Sequence, residues 1–219
     1  MSHGLQAQLR AEAQAQMAAD SAHDIAHLDR VWANAQAIAA SFDGIDHAAL
    51  CAAAYLHDLV NLPKDAPNRA QASCLSAQAA RPVMARLGLA AASVDLACHA
   101  IAAHSFSAGI APQTPEARIL QDADRLDALG AIGIARTFLV SGALARPLYD
   151  AADPFAQSRP LDDGAFAIDH WPAKLLRLGE SMLTDAGRRM ARARLAVMRQ
   201  YLHALAAELG QPLPQDWGL

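Results

Sequence analysis

A histidine–aspartate pair at positions 57 and 58 follows a run of small and apolar residues. His27 precedes the pair and Asp124 follows it, so the chain offers two imidazoles and two carboxylates. Neutral imidazole nitrogens and ionised carboxylates can hold one divalent metal ion and leave coordination positions open. An ion held in this way can activate a water molecule. His27, His57, Asp58 and Asp124 are therefore candidate ligands of a hydrolytic metal centre.

A chance pair is the competing interpretation, because a histidine–aspartate dipeptide is a weak signal by itself. Three other neighbouring pairs occur in the chain: His23-Asp24, Asp46-His47 and Asp169-His170. His57 and Asp58 also point about 100° apart on a helix, so both reach one ion only near a helix end.

The segments around these residues read as helices. Apolar residues after His27 recur at intervals of three and four, which predicts a helix with a buried face. Asp46 is the expected N-cap of a second helix, which runs toward the pair and is broken by Pro63. Asp124 is expected on a third helix that begins near Glu116. Metal sites in helical folds are commonly built from facing helices in this way.

The rest of the chain also favours helices. No alternation typical of strands extends beyond a few residues, and no linker divides the sequence. We therefore predict one all-α domain over residues 1–219. The further expected helices are 69–88 with a kink at Pro82, 94–103 capped by Ser93, 132–140, and 173–209 with a break near Thr184 or Gly187.

Residues 141–172 differ from the remainder in their content of proline, glycine and aspartate. This composition predicts a long structured loop before the C-terminal helices. The composition is consistent either with a lid or with a surface loop that has no function of its own.

Composition limits the classes of function. Apolar residues make up 53% of the chain and aromatic residues only 5%, which is typical of helices packed closely through small side chains. The formal charge of −4 gives no basic field for nucleic acid. The sequence has neither a long apolar run nor an apolar leader, and its three cysteines form no CxxC motif. We expect a cytoplasmic protein with no membrane or nucleic-acid partner.

Five segments resemble the HD-domain superfamily of metal-dependent phosphohydrolases, in particular the small bacterial hydrolases of the YedJ and YpgQ kind. The similarity covers roughly residues 20–209, and the Asp-Ala-Asp-Arg-Leu-Asp sequence at 122–127 is its most specific part. The segments are 22–31, 56–69, 101–105, 119–133 and 169–176.

The resemblance implies an HD-type helical fold that binds one divalent ion. The ion is expected to be Mn²⁺, with Mg²⁺, Co²⁺, Ni²⁺, Fe²⁺ and Zn²⁺ as alternatives. The implied reaction is hydrolysis of a phosphoester or phosphoanhydride, and the expected partner is a small phosphate compound, more specifically a nucleotide. Some relatives of this kind are nucleotide pyrophosphohydrolases. The family pattern assigns the ligand to Asp124, so Asp122 and Asp127 become supporting or capping groups.

Several further residues suit a phosphate substrate. Lys64 and Arg69 lie just after the histidine–aspartate pair and can offset phosphate charge, unless they belong to an exposed loop. His104 can act as general acid or substrate ligand, or be structural. His170 and Lys174 match a family segment and can close over the site or anchor a loop. Catalytic roles are expected for Asp58, His104 and Lys64, and substrate binding for Lys64, Arg69, His23, His104, His170 and Lys174.

Two alternatives to hydrolysis remain. A di-iron oxygenase of HD type needs additional histidine ligands, and only His99 and His104 lie between the pair and Asp124, so one metal is favoured. A non-catalytic protein that binds a nucleotide as a sensor is the other alternative. Five arginines between 188 and 199 form either a phosphate-binding stretch or, more simply, a solvated helix face. The chain is expected to act as a monomer or a homodimer.

Overall fold

A computed structural model describes residues 3–16, 24–62 and 68–217, and within these ranges it contains helices and no strands. The predicted all-α fold is confirmed. The α-helices of these ranges are α1 His3–Gln16, α2 Ile25–Ala39, α3 His47–Leu56, α4 Ala72–Arg86, α5 Ala91–His104, α6 Pro115–Asp127, α7 Gly130–Ala143, α8 His170–Ala173 and α9 Asp185–Leu209. One-turn or two-turn 3-10 helices cover Arg69–Gln71, Phe106–Ala108, Leu175–Ser181 and Gln215–Trp217. The chain forms two compact units, Met1–Asp124 and Arg125–Leu219.

Helix α3 is the central helix of the first unit. Every residue from Ala49 to Leu56 is buried, and α3 contacts α1, α2, α4 and α5. A helix that is apolar all round can be covered on every side, and its many alanines let the neighbours approach closely. Its N-terminus is capped by the Asp46 carboxylate, which accepts hydrogen bonds from the backbone of Ala48 and Ala49. The predicted cap is confirmed.

Helix α2 carries the predicted apolar stripe. Asp24 caps its start by accepting a hydrogen bond from the backbone nitrogen of His27 at 2.9 Å. The stripe is fully buried and consists of Leu28, Val31, Trp32, Ala35 and Ile38. Burial of this stripe fixes the rotation of α2, and thereby the direction in which His27 points.

The prediction that Ser93 caps α5 is wrong. Helix α5 begins three residues earlier than predicted, at Ala91, and Ala90 is its N-cap residue. The Ser93 hydroxyl instead donates to the Asp46 carboxylate at 2.5 Å. A nearby charged acceptor attracts this hydroxyl more strongly than a helix end does, and sequence spacing does not show which acceptor is near.

The second unit is built on α7 and α9, which pack against each other. Gly130, with φ of +71°, separates α6 from α7. A Cβ atom at Gly133 would collide with the carbonyl oxygen of Ala128, so glycine is required there. Thr184 caps α9 because its hydroxyl oxygen accepts a hydrogen bond from the backbone nitrogen of Gly187, and this confirms the break predicted near Thr184.

No helix forms between Ala143 and His170, so the predicted long loop is present, with its helical ends at 143 and 170. Side chains of the loop bind one another. Asp169 is buried and holds Arg159 through both carboxylate oxygens, at 2.5 and 2.9 Å. The guanidinium of Arg159 also lies 4.5 Å from the centre of the Phe166 ring.

By length and hydropathy, no single helix of the described ranges is suited to cross a membrane. The pair α6 and α7 would qualify only if both were taken together across the bend between them.

Candidate metal centre

Two buried histidines point their Nε2 atoms toward the same place in the first unit. His27 leaves the first turn of α2, and His57 follows the last residue of α3. The exposed fraction is 1% for His27 and 0% for His57. The Nδ1 atom of His57 lies 2.9 Å from the carbonyl oxygen of Ala54. A carbonyl only accepts, so Nδ1 carries the proton and Nε2 presents a lone pair.

Asp58 and Asp124 complete the cluster. Oδ2 of Asp58 lies 3.6 Å from His57 Nε2 and 3.9 Å from His27 Nε2. Oδ1 of Asp124 lies 3.5 Å from His27 Nε2 and 3.8 Å from His57 Nε2. The adjacent His57 and Asp58 reach one point because α3 ends at Leu56, just before them.

These distances suit a divalent ion better than direct hydrogen bonding. Ligand atoms about 2.1 Å from one ion, at tetrahedral angles, lie about 3.4 Å apart. Hydrogen bonds are shorter than the four separations observed. Moreover, His57 Nε2 is buried and has no hydrogen-bond partner among the described residues. A buried nitrogen lone pair left in this way is costly unless an ion uses it, so the donor set fits a divalent metal.

The cluster is closed on its histidine side and open on its carboxylate side. The side chain of Asp58 is 22% exposed and that of Asp124 is 30% exposed, whereas both histidines are buried. Structural metal sites are usually closed by protein ligands, while catalytic sites keep a position for water or substrate. The exposed carboxylates of this cluster correspond to the open side of a site of the second type.

His104 is a third imidazole of this cluster. It is the last residue of α5, and its ring lies edge-on to His57 with centroids 4.8 Å apart. Its Nδ1 atom lies 2.7 Å from the carbonyl oxygen of Ile101, and its Nε2 atom lies 3.7 Å from Oδ1 of Asp58. Burial lowers the pKa of His104, and the neighbouring His57 lowers it further.

His57 belongs to two overlapping groups of candidate ligands. One group is His27, His57 and Asp124, and the other is His57, Asp58 and His104. One imidazole nitrogen binds one ion, so the two groups compete for His57 Nε2. This geometry favours a single ion. The second histidine considered for a two-metal site, His99, instead accepts a hydrogen bond from the backbone of Gln113 at 3.0 Å.

Two amides that the sequence analysis did not select hold α6 in place. Asn34, buried on α2, donates to the carbonyl oxygen of Ala123 at 3.1 Å. Gln121, buried on α6, donates to the carbonyl oxygen of Ala103 at 3.0 Å. Both acceptors are backbone neighbours of cluster residues. The available signal for Asn34 was a polar residue on the apolar face of α2, two turns after His27.

The aspartates beside Asp124 occupy other positions. Asp122 is fully buried, and Asp127 is 1% exposed. Asp127 pairs with Arg136 at 2.5 Å. The guanidinium of Arg136 thus compensates the buried charge of Asp127.

Arg69 lies in the short helix that follows the histidine–aspartate loop. Its Nη1 atom donates to the side chain of Asn61 at 3.2 Å and to the carbonyl oxygen of Leu62. The guanidinium therefore bridges to the start of the loop that follows His57 and Asp58. Two other predicted substrate residues, Lys64 and His23, lie outside the described residues, as does Pro63.

His170 and Lys174 are in the second unit and share one partner. Asp163 Oδ2 lies 3.1 Å from His170 Nδ1 and 2.7 Å from Lys174 Nζ. Lys174, supported by His170, holds the pKa of Asp163 below its usual value. The two basic residues thus already bind a carboxylate, the kind of anion for which a phosphate could substitute.

Two arginines of α9 donate hydrogen bonds to backbone carbonyl groups of the second unit. Arg188 donates to the carbonyl oxygen of Met182 at 2.8 Å, and Arg194 donates to that of Leu126 at 2.5 Å. These contacts stabilise helix ends, where carbonyl groups lack helical partners.

Comparisons with known proteins identify the family of the chain. The model of the HD domain family matches residues 24–129, a range that contains His27, His57, Asp58 and Asp124. The protein YpgQ of Bacillus subtilis (strain 168) is 32% identical over 193 residues, which make up 86% of this chain and 85% of YpgQ.

Solved structures are similar along most of the chain. The crystal structure of Bacillus subtilis YpgQ in complex with ADP has a TM-score of 0.72 at 33% identity, covering 93% of this chain and 97% of that one. An HD-superfamily hydrolase from Bacillus thuringiensis has a TM-score of 0.71 at 27% identity, covering 95% and 98%. The chain belongs to the HD-domain family, in the group that includes YpgQ.

Proposed function

We propose that this protein is a metal-dependent phosphohydrolase that cleaves a phosphoester or phosphoanhydride bond of a nucleotide. The observation that carries the proposal is the open-sided cluster of His27, His57, Asp58 and Asp124, with a buried lone pair on His57. The ADP complex of YpgQ supports a nucleotide as the substrate class. A nucleoside triphosphate is the first substrate to test.

Four side chains would hold the ion: His27 and His57 through Nε2, and Asp58 and Asp124 through carboxylate oxygens. A divalent ion held there, Mn²⁺ in the first instance, would lower the pKa of a bound water molecule and polarise a phosphoryl oxygen. The buried imidazoles exclude solvent from one side of the cluster. The exposed carboxylates leave the other side to the substrate.

Proton transfer is assigned to His104. Its Nδ1 proton is held by Ile101, so Nε2 is free to accept a proton and later to return it to a leaving oxygen. Asp58 lies between His104 and the ligand histidines, with one carboxylate oxygen toward each. Asp58 can thus orient the reacting groups as well as bind the ion.

Cations outside the cluster would hold the phosphate groups. Arg69 and Lys64 follow the histidine–aspartate pair in the chain and are proposed for this role. His170 and Lys174 match a segment of the HD hydrolases and are proposed on that resemblance. Fixed positive charge lowers the barrier when negative charge develops on transferred phosphoryl oxygens.

Product analysis tests the reaction. Metal-free protein is supplied in turn with Mn²⁺, Mg²⁺, Co²⁺, Ni²⁺, Fe²⁺ and Zn²⁺ and given nucleoside triphosphates, monophosphates and cyclic nucleotides. We expect release of phosphate or pyrophosphate that EDTA abolishes and that Asp58→Asn removes. Tight binding of a nucleotide without any turnover would support a sensor protein instead.

A further inference from the structure

Phe106 is an aromatic side chain that the site described so far does not use. It is 88% exposed, the largest value among the exposed large apolar residues of the described ranges. The others are less exposed, such as Leu144 at 54% and Leu148 at 53%. A fully exposed phenylalanine forgoes the stabilisation that burial of its ring would give.

Its place in the chain relates it to the metal cluster. Helix α5 ends at His104, Ser105 is extended with φ of −79° and ψ of 129°, and Phe106 begins the next short helix. Two residues span at most about 7 Å, so the backbone of Phe106 lies within that distance of the backbone of His104.

The turn that carries Phe106 is also anchored on its other side. Phe106–Ala108 packs against Arg69–Gln71, the short helix that carries Arg69. The hydroxyls of Ser105 and Ser107 hydrogen-bond to each other at 2.9 Å, and Gly109 ends the turn with φ of +66°. The exposed ring of Phe106 is thus carried by a turn that follows His104 directly in the chain and packs against the short helix that contains Arg69.

We propose that Phe106 is the stacking platform for the base of the nucleotide, while the phosphates lie toward the metal cluster. The inference rests on the proposed function and adds to it a residue for binding the base. Stacking on an aromatic face is tolerant of sequence, because every base has such a face. The site should therefore accept purine and pyrimidine nucleotides alike, with larger bases bound more tightly.

Binding measurements separate the base from the phosphates. Affinities of Mn²⁺-loaded protein for ADP and for inorganic pyrophosphate are measured by calorimetry on wild type, Phe106→Ala and Phe106→Trp. One stacked base is worth a factor of roughly 5 to 150 in affinity. Phe106→Ala should lose that factor for ADP and keep wild-type affinity for pyrophosphate. Phe106→Trp should retain ADP binding, and ADP but not pyrophosphate should quench the fluorescence it adds.

Leu148 is an exposed apolar residue of the second unit, so Leu148→Ala is the control variant and should bind ADP normally. Unchanged ADP affinity in Phe106→Ala, or equal losses for ADP and pyrophosphate, would overturn the proposal. So would a change in the oligomeric state of ligand-free Phe106→Ala, because the ring would then belong to a contact between copies. Failure of the proposed function is distinguishable, since it appears as absent turnover in wild type and leaves the binding comparison intact.

Discussion

Nε2 of His104 lies 3.7 Å from Oδ1 of Asp58, while the other oxygen of that carboxylate faces the ligand histidines, 3.6 Å from His57 and 3.9 Å from His27. One aspartate therefore connects two parts of the cluster. Its Oδ2 atom lies beside the candidate ligand atoms of His27 and His57, and its Oδ1 atom faces the imidazole of His104. This division suggests that His104 contributes to the reaction more than to ion binding.

Replacement of His104 tests this division. His104→Ala should retain about one metal ion per chain, because His27, His57, Asp58 and Asp124 remain. Its kcat should fall by roughly 10²- to 10⁴-fold, the usual contribution of a positioned acid or base. Elemental analysis and steady-state kinetics on the same samples measure both quantities. His99→Ala, on the same helix, is the control and should keep near-normal kcat. Loss of the metal in His104→Ala would make His104 a ligand.

The opposite result is expected for His57. His57→Ala should lose most of the bound metal, since His57 Nε2 is common to both groups of candidate ligands. The affinity of the wild-type protein for the metal should also fall on acidification, because the ligands must be neutral histidine and ionised aspartate. Elemental analysis after dialysis gives the metal content, and circular dichroism verifies the fold. His57→Gln provides a second variant of similar size, and exposed His47→Ala is the control. Undiminished metal in a folded His57 variant would contradict the assignment.

Local sequence rules were sufficient for the elements that carry the cluster. The apolar stripe of α2 and the cap at Asp46 depend on contacts within a few residues, and both were predicted correctly. The ligand set also depended on the resemblance to HD proteins, because a histidine–aspartate pair has many chance occurrences.

Long-range partners were beyond such rules. Asn34 donates to a residue 89 positions away, and Ser93 donates to one 47 positions away. Nothing in their neighbouring sequence specifies those partners.

Asp46 should contribute to stability in a pH-dependent way. Burial by itself would raise its pKa, but hydrogen bonds from Ser93, Ala49 and Ala48 together hold the pKa below the ordinary value of 3.8. A lowered folded-state pKa gives stability that is present above about pH 4 and is lost as the pH falls through the folded value. Loss of an N-cap costs about 1–2 kcal/mol, so Asp46→Ala should be less stable by about that amount at pH 7.

Urea unfolding at pH 7 and in a series down to pH 3 measures the effect. Asp46→Asn keeps a capping group without the charge, so its deficit relative to wild type should shrink on acidification. Exposed Asp43→Ala should unfold like wild type at every pH. A deficit of Asp46→Asn that grows with acidity would contradict the sign of the pKa shift.

Lys174 should bind substrate phosphate in competition with Asp163. Lys174→Ala should raise KM by roughly 10-fold, about the value of one charge-assisted contact, and leave the metal content unchanged. Asp163→Asn should lower KM, because it removes the carboxylate that occupies Lys174 and His170. Steady-state kinetics measure both, with exposed Arg177→Ala as the control. A raised KM in Asp163→Asn would show that the carboxylate orients the two basic residues instead of competing for them.

Arg69 offers the sharpest distinction between charge and architecture, because its guanidinium contacts the loop that follows the ligands. If its charge stabilises the reacting phosphate, Arg69→Ala should lower kcat/KM by on the order of 10²-fold with unchanged metal content. Arg69→Lys should recover only part of the loss, since lysine lacks the two-pronged guanidinium. Lys64→Ala should behave like Arg69→Ala.

Asn61→Ala is the matched variant, because it removes one hydrogen-bond acceptor of Arg69 and leaves the charge in place. Under the charge hypothesis, Asn61→Ala should keep kcat/KM within a few-fold of wild type. If Arg69 instead serves to hold the loop, Asn61→Ala and Arg69→Ala should lose activity together, and the metal content should fall in both because His57 and Asp58 precede that loop directly. Wild-type kinetics in the Arg69 and Lys64 variants would contradict a phosphate-binding role for both residues and leave His170 and Lys174 as the candidates.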